Sequence, residues 1–247
     1  MSKYLAITAI SDLHGHHPRD LLGGDLLIIC GDITASDKLV QWHKFYEWLR
    51  NQQYRKKVLI GGNHDRFLSQ FASSQETREL FEMFGNDPDL QPDDDFEYLL
   101  DSGCEFEGLK IWGSPWSLSF EGINPHCRAF TGTEGDLRGK FDLIPDDVDI
   151  LITHAPPFGT LDVNKWGGRC GSKALADRIL DLKKLRLHFF GHIHESYGSC
   201  HAYYSTPDAR NLDEFTPGGH LSVNCSIMNA NYSPVNGPFN IEIKEKE

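Results

Sequence analysis

The stretch Tyr4–His14, YLAITAISDLH, joins an apolar run to a closely spaced carboxylate and imidazole. The run from Leu5 to Ile10 is continuously apolar, which favours a strand that is covered on both faces of a sheet. Asp12 and His14 follow it directly, and residues two apart in an extended chain point to the same side. Both side chains could therefore contact one ion, although polar residues at a strand end are more often simply exposed to water.

The same arrangement recurs at four later points of the chain, where a short apolar run ends in polar residues. These points are DLLIIC before Gly31-Asp32, KVLIG before Gly62-Asn63-His64, DILIT before His154, and LHFF before Gly191-His192-Ile193-His194. Because open α/β sheets bind ligands beyond the carboxyl ends of their strands, we expect the polar side chains to converge. Without His64, the set offers four imidazoles, two carboxylates and an amide. That is too many ligands for one tetrahedral zinc ion, but it suits two divalent ions about 3.5–4 Å apart. Independent polar strand ends are the alternative.

Helical periodicity lies between these runs. The segment 36–52, SDKLVQWHKFYEWLRNQ, has its apolar residues at helical spacing and Ser36 or Asp37 as its N-cap. Two further helices are predicted, in GSKALADRILDLKKL at 171–185 and in SSQETRELFEMF at 73–84. Strands that alternate with helices indicate a layered α/β fold.

The middle and the end of the chain supply further strands. Residues 86–102 predict a surface loop that leads into a short helix with an acidic first turn, and a divalent-ion loop is the alternative. CEFEGLKIWGSPW, at 104–116, predicts a β-hairpin that turns near Glu107-Gly108. HLSVNCS and FNIEIKE predict two late strands.

Composition limits the class of protein. The 247 residues, 39% hydrophobic and 24% charged, suit one α/β domain over 1–247, with a boundary within 86–104 or 117–147 as the alternative. No apolar run approaches the roughly 18 residues of a membrane helix, and the N-terminus lacks a secretion signal, so no membrane association is expected. Six scattered cysteines without a C-x-x-C pair suggest a reducing compartment, hence a cytoplasmic location. A net charge of −12 disfavours a long nucleic acid as partner.

The ordered series D-x-H, G-D, G-N-H-D, T-H and G-H-x-H, from Asp12 to His194, resembles the signature of the calcineurin-like metallophosphoesterases. The passages GDLLIICGDIT, IWGSPW, ILITHAPPFG and LHFFGHIHESYG are similar to a subgroup of metallophosphoesterase-domain proteins related to class III cyclic-nucleotide phosphodiesterases. The resemblance implies a four-layer α-β-β-α sandwich of two mixed sheets flanked by helices. The phosphoprotein phosphatases of this superfamily carry G-D-x-x-D-R-G, whereas residues 31–37 here are GDITASD, which disfavours that activity.

The resemblance also implies a role for each polar strand end. Asp12, His14 and His194 would bind one metal ion, Asn63, His154 and His192 would bind a second, and Asp32 would bridge both. His64 would act catalytically, by contacting the phosphate or protonating the leaving oxygen. The bridging Asp32 would be the second catalytic residue. Mn²⁺ is the favoured metal, while Fe, Zn, Co and Ni are also compatible with mixed nitrogen and oxygen ligands.

The expected activity is that of a dinuclear phosphodiesterase acting on small phosphodiesters that are cyclic-nucleotide-like or nucleotide-derived. In the chemistry that the resemblance implies, a metal-bridging hydroxide attacks phosphorus. Two divalent ions, two carboxylates and that hydroxide leave about one positive charge, which attracts a small anion within an acidic chain. The alternatives are a nuclease of the same superfamily and a non-catalytic metal-binding scaffold. The oligomeric state is open.

Several side chains near these motifs have two interpretations each. Either a place in the lining of the substrate pocket or a place in a solvated loop would suit His16, His17 and Arg19 equally well. Arg169 could contact a phosphate or a carboxylate at a helix end. Stacking on an aromatic substrate group or ordinary packing would suit Phe158, Trp166 and Tyr197.

Overall fold

The computed structural model describes residues 4–71, 96–120, 122, 124–202 and 219–245, and two large sheets dominate them. In spatial order, the first sheet contains β13 (Phe239–Lys244), β1 (Tyr4–Ile10), β2 (Gly24–Ile29), β3 (Tyr54–Leu59) and β4 (Phe96–Tyr98). Strands β1 to β4 are parallel, and β13 pairs antiparallel with β1. The apolar stretch that ends in Asp12 is therefore an interior strand of this sheet, as its continuous hydrophobicity predicts.

The second sheet carries the remaining long strands. In spatial order it contains β11 (Gly198–Ala202), β12 (His220–Asn224), β10 (Leu187–Phe190), β9 (Ile150–Thr153), β6 (Leu109–Ser114) and β5 (Ser102–Phe106). The four central strands are parallel and the two edge strands are antiparallel. A small parallel pair, β7 (Ser117–Leu118) and β8 (Thr131–Gly132), lies apart from both large sheets.

The hydrophobic core lies between the two sheets. Leu5, Ile7 and Ile28 of the first sheet belong to the same buried cluster as Ile152 and Phe189 of the second. The sheets therefore pack face to face, as expected for two layers that each bury one apolar face. This packing brings the carboxyl ends of β1 to β3 close to those of β9 and β10.

Helices cover the outer faces of both sheets. Helix α1 (Leu39–Arg50) buries Trp42 and Phe45 in a second apolar cluster with β2. Helices α2 (Glu134–Phe141) and α3 (Lys173–Asp181) form a third cluster on the outer face of β9. The structure thus confirms the four-layer α-β-β-α sandwich that the family resemblance implies.

The predicted start of the first helix was wrong. Helix α1 begins at Leu39 with Lys38 as N-cap, and the side-chain oxygen of Gln41 accepts the backbone N–H groups of Ser36 and Lys38. Asp37 accepts the indole N–H of Trp42 instead of capping the helix.

The short helix predicted at the end of 86–102 is the strand β4. Phe96 and Tyr98 are buried and pair in register with Lys57 and Leu59 of β3, so tertiary pairing overrides the local helical signal. Residues 86–95 and the helix predicted at 73–84 lie outside the described residues.

Other sequence predictions are confirmed. Strands β5 and β6 form the hairpin, and Glu107 and Gly108 at its turn both have positive φ angles, as a two-residue turn requires. The helix predicted in 171–185 is α3, which Ser172 caps by accepting the N–H of Leu175. Within the described ranges, no helix has the length and apolar character that crossing a bilayer needs.

Candidate metal centre

Backbone pairing beyond the strands sets the polar side chains next to one another. The N–H of Asp12 donates to the carbonyl of Gly31 at 3.0 Å, and the N–H of His14 donates to that of Asp32 at 2.9 Å. These bonds extend the pairing of β1 with β2, so that Asp12 and Asp32 lie side by side after the two strands. The second sheet reaches them directly, because the N–H of His192 donates to both carboxylate oxygens of Asp12 at 3.0 and 3.1 Å.

The structure brings together all seven side chains that the sequence suggests as metal ligands. Possible ligand atoms lie within 4.8 Å of one another in two groups, Asp12, His14 and His194, and Asp32, His154 and His192. A third group joins Asp32 to His14 and His64. The amide oxygen of Asn63 lies 2.9 Å from Nε2 of His154, beside the second group. The two groups divide as the family resemblance implies; the assignment of each residue as a ligand stays a prediction.

The imidazoles are oriented as metal-binding histidines commonly are. Nδ1 of His154 lies 2.9 Å from the carbonyl oxygen of Cys30, and Nδ1 of His194 lies 3.2 Å from that of Asn229. A carbonyl oxygen only accepts, so each Nδ1 carries the proton and donates. Nε2 of each ring faces a carboxylate oxygen at 3.4 Å, that of Asp32 for His154 and that of Asp12 for His194, and can bind a cation there once it has lost its proton.

The pKa values of the two buried carboxylates also indicate a site that favours positive charge. Burial by itself would raise the pKa of Asp12, but the attraction of His194 outweighs it and holds that pKa well below its usual value. Burial acts the same way on Asp32, where His154 and His64 lower the pKa well below 3.8. Both carboxylates therefore stay ionised although they are buried. Buried carboxylates of this kind need cationic partners, which divalent ions would supply.

The four histidines divide into two kinds. Burial lowers the pKa of His14 to about 4 and that of His192 to about 3, so these rings are neutral and free to bind a metal. Burial would also lower the pKa of the other two, but Asp32 outweighs it at His154 and raises that pKa to about 9, and Asp12 outweighs it at His194 and raises that pKa as well. An ion that binds His154 must displace this proton.

Backbone geometry at the site is strained and crowded. Asp12, Asp32 and His192 have φ angles of 56°, 51° and 67°, in the left-handed region that side chains other than glycine rarely adopt. Such conformations cost about 1–3 kcal/mol each and cluster at functional sites. Neighbouring positions accept only glycine. A Cβ atom on Gly191 would overlap a carboxylate oxygen of Asp12, and one on Gly62 would overlap Asp32 and lie 2.7 Å from the ring of His154.

His64 lies at the edge of this cluster. Its Nε2 is 3.9 Å from a carboxylate oxygen of Asp32, and its backbone N–H donates to the other oxygen at 2.8 Å. Asp65 does not orient it, since the Asp65 carboxylate accepts the backbone N–H groups of Ile33 and Gly62 and ties two loops together. Nδ1 of His64 instead lies 3.7 Å from Sγ of Cys127.

Two residues of the site are not predicted from the sequence. The ring of Tyr232 makes edge contacts with His14 and His194, with centroid distances of 4.9 Å to each. Cys127 contacts His64, and its carbonyl oxygen accepts the side-chain N–H of Asn63 at 3.2 Å. A single tyrosine in a turn-rich segment and a single cysteine form no motif, so no signal in the sequence marks them.

The remaining candidates lie around the centre. His17 stacks on Trp48 of α1, with ring centroids 5.6 Å apart. Arg169 pairs with the buried Asp162, a loop carboxylate rather than one at a helix end. The hydroxyl of Tyr197 donates to the carbonyl of Gly237, so this ring is engaged in packing.

Three other candidates are exposed or lie beside cations. Arg19 and His16 are both exposed. Phe158 lies beneath the cations of Arg169 and Lys173.

Comparison with known proteins agrees with this geometry. Residues 5–196 match the model of the calcineurin-like phosphoesterase family. The chain belongs to this family. It is 34% identical over 253 residues to human metallophosphoesterase domain-containing protein 1, covering 97% of this chain and 71% of that protein.

Solved structures share the fold. One superposes with a TM-score of 0.60 at 15% identity, covering 90% of both chains. The protein TT1561 of Thermus thermophilus superposes with a TM-score of 0.51 at 14% identity, covering 91% of this chain and 89% of that one. Membership of the family and the clustered histidines and aspartates indicate a dinuclear site for divalent metal ions in a phosphoesterase.

Proposed function

We propose that the protein is a dinuclear metal-dependent phosphodiesterase that hydrolyses small phosphodiesters. Asp12, His14 and His194 bind one ion, Asn63, His154 and His192 bind the other, and Asp32 binds both. The observation that carries the proposal is the pair of ligand groups with Asp32 at their junction. Mn²⁺ is the proposed metal, and Fe, Zn, Co and Ni are compatible with the same ligands.

When bound, the two ions supply Lewis acidity that activates water and neutralises negative charge on the phosphoryl oxygens. The protein supplies the geometry. The strained turns at Asp12, Asp32 and His192 hold their side chains towards one point, and Gly62 and Gly191 let the loops approach closely enough for that. Only two carboxylates face two divalent ions, so the centre carries a net positive charge that attracts an anionic ester.

His64 is suited to hold a proton near the leaving oxygen. Burial, and after it the charge of Asp32, raise the pKa of the Cys127 thiol, which therefore stays protonated and can donate to Nδ1 of His64. A donor at Nδ1 places the ring proton on Nε2, which points towards Asp32 and the metal centre. The Nε2–H of the neutral ring can donate a hydrogen bond to an ester oxygen, and a ring protonated at both nitrogens can pass its Nε2 proton to the leaving oxygen and return to the neutral form.

Room beside the centre supports a diester of modest size. A cleft of about 600 Å³ adjoins His192 and His194, which leaves space for an organic group on the phosphate. The net charge of −12 disfavours a long polyanionic strand, whose backbone would cross a negative surface. A small phosphodiester, cyclic-nucleotide-like or nucleotide-derived, meets both conditions.

We also propose that residues 1–247 form one metallophosphoesterase domain and that the protein is cytoplasmic. The family match over 5–196 and a core shared by both sheets support the first proposal. All six cysteines are unpaired, including Cys30 and Cys225 with sulfur atoms 3.5 Å apart, which supports a reducing compartment.

Hydrolysis of bis(p-nitrophenyl) phosphate by the Mn²⁺-loaded protein tests the proposed activity. We expect His64→Ala to keep both metal ions and to lower kcat by about 100-fold or more, as loss of a catalytic histidine that contacts the phosphate or protonates the leaving oxygen does. His43→Ala is the matched control, because His43 is an exposed histidine on α1. Unchanged turnover in His64→Ala would contradict the role of His64. Absence of turnover in the loaded wild type would favour a metal-binding scaffold, and preferred cleavage of single-stranded DNA would favour a nuclease.

A further inference from the structure

An aromatic cleft lies directly beside the metal centre. We define it by Phe120, Trp166 and Tyr232, and it is also lined by His192 and His194. In the part of the chain that the structure describes, these three are the aromatic side chains with more than half of their surface exposed, at 60%, 79% and 58%. Clustered exposed aromatic rings are unusual in a monomer and typically mark a binding site.

The loop that presents Trp166 is closed by hydrogen bonds within it. The side-chain oxygen of Asn164 accepts the N–H groups of Trp166 and Gly168 at 3.0 and 2.9 Å, and the backbone N–H of Asn164 donates to the carbonyl of Gly168. Val163 and Arg169 close the loop as an antiparallel bridge. A large indole held exposed on a hydrogen-bonded loop gains no burial from the fold, and the hydrogen bonds that close the loop lower the entropy cost of binding a partner.

The same loop is fixed to the metal centre. The hydroxyl of Ser196 donates to the carbonyl of Val163 at 2.8 Å and accepts its N–H at 3.1 Å. Ser196 belongs to the short helix His194–Ser196, whose first residue is a proposed metal ligand. The position of Trp166 relative to the metal centre is therefore set by a two-bond connection rather than by a free loop.

Charge in the aromatic cleft suits an anionic ester. Lys165 places its ammonium 4.5 Å from the centre of the Trp166 ring, and Arg169 also lines the cleft. Glu195 is the acidic side chain among the residues that line it. Tyr232 contacts both His14 and the cleft, so it forms the wall between the metal centre and the space beside it.

We propose that the aromatic cleft binds the organic group of the phosphate ester and selects a flat aromatic group that stacks on Trp166. The inference rests on the proposed function, since the phosphoryl group must be held at the metal centre for its substituent to reach the cleft. Trp166 is thereby a specificity-determining residue. Aromatic pairs prefer offset or edge-to-face geometry, and an indole as exposed as that of Trp166 can offer either to a planar guest.

Binding of phosphonates to the Mn²⁺-loaded protein tests the inference, because their carbon–phosphorus bond survives ester hydrolysis. We compare methylphosphonate with 1-naphthylphosphonate by isothermal titration calorimetry in the wild type, Trp166→Ala and Trp166→Phe. We expect the naphthyl compound to bind the wild type about tenfold tighter, which corresponds to about 1.4 kcal/mol. Trp166→Ala should remove this preference without changing the affinity for methylphosphonate, and Trp166→Phe should keep most of it. Leu22→Ala, an exposed apolar residue outside the cleft, is the control and should behave as the wild type.

The outcomes separate the two proposals. Equal affinity for both phosphonates in the wild type, or an equal loss of both in Trp166→Ala, would overturn the role of the aromatic cleft while hydrolysis of bis(p-nitrophenyl) phosphate leaves the proposed function standing. If neither phosphonate binds and no ester is hydrolysed, the proposed function fails and the inference falls with it. Melting temperatures of the variants exclude misfolding, which is not expected for a side chain 79% exposed.

Discussion

The contact between Cys127 and His64 predicts that a cysteine outside every motif sets which ring nitrogen of the proposed catalytic histidine carries the proton. The relevant change is Cys127→Val, which keeps a similar volume and removes the thiol donor. Sγ of Cys127 lies 3.7 Å from Nδ1 of His64, whereas the link to Asn63 runs through the backbone carbonyl of Cys127 and survives the substitution. The change therefore removes the thiol contact with His64 and keeps the backbone contact with Asn63.

The size of the effect follows from the value of one hydrogen bond. An intramolecular hydrogen bond contributes about 0.5–1.5 kcal/mol net, which converts to a factor of about 2 to 13 in rate if the bond is needed in the transition state. A thiol is a weak donor, so we expect the lower part of this range, a fall in kcat of about threefold. Cys127→Ser retains a donor and should stay within about twofold of the wild type, given the similar geometry of a hydroxyl.

The assay is kcat and KM for bis(p-nitrophenyl) phosphate across pH, with metal content measured on the same samples. We expect a changed pH profile and lower kcat in Cys127→Val, with KM and metal content as in the wild type. A Cys127→Val variant with wild-type kcat at every pH would refute the role of the thiol. Loss of metal in this variant would also refute it, because the effect would then be structural.

Two further predictions concern the crowded loops and the core. Gly191→Ala should greatly weaken metal binding at nearly unchanged secondary structure, since its Cβ would overlap the carboxylate of Asp12; metal titration with circular dichroism checks this, and wild-type affinity would contradict it. Burial lowers the pKa of His220 from 6.5 to about 4 and that of His188 well below 6.5. Because unfolding restores the ordinary pKa, their contribution to stability is complete above about pH 6.5 and falls by about 1.4 kcal/mol per histidine per pH unit below it. Thermal unfolding at about pH 7.5 and about pH 5.5 tests this, with a smaller pH dependence expected for His220→Gln; an identical dependence in the variant would be contrary to the prediction.

Much of the fold and the centre is predictable because strand ends carry a local signal. A continuous apolar run such as Leu5 to Ile10 is a property of neighbouring residues, and so is the polar pair that follows it. Parallel pairing of β1 with β2 then requires Asp12 and Asp32 to lie side by side. The second sheet packs with its strand ends beside those of the first, and this places His192 next to Asp12.

The residues that the sequence does not reveal depend on contacts between distant segments. Tyr232 reaches His14 from a segment more than two hundred positions away, and Cys127 approaches His64 through a loop with no periodic pattern. The strand β4 is missed for the same reason, since Phe96 is held in it by pairing with β3. Neither local secondary-structure propensity nor the spacing of residues reveals such contacts.

The number and coupling of bound metal ions test the central claim most directly. Asp32 belongs to one ligand group, and its carboxylate also lies 3.7 Å from Nε2 of His14 in the other. The protein titrated with Mn²⁺ should therefore bind two ions per chain, with an electron paramagnetic resonance spectrum that shows exchange between them. Asp32→Asn should weaken or abolish this coupling. A single bound ion, or two ions with independent spectra in the wild type, would contradict the account.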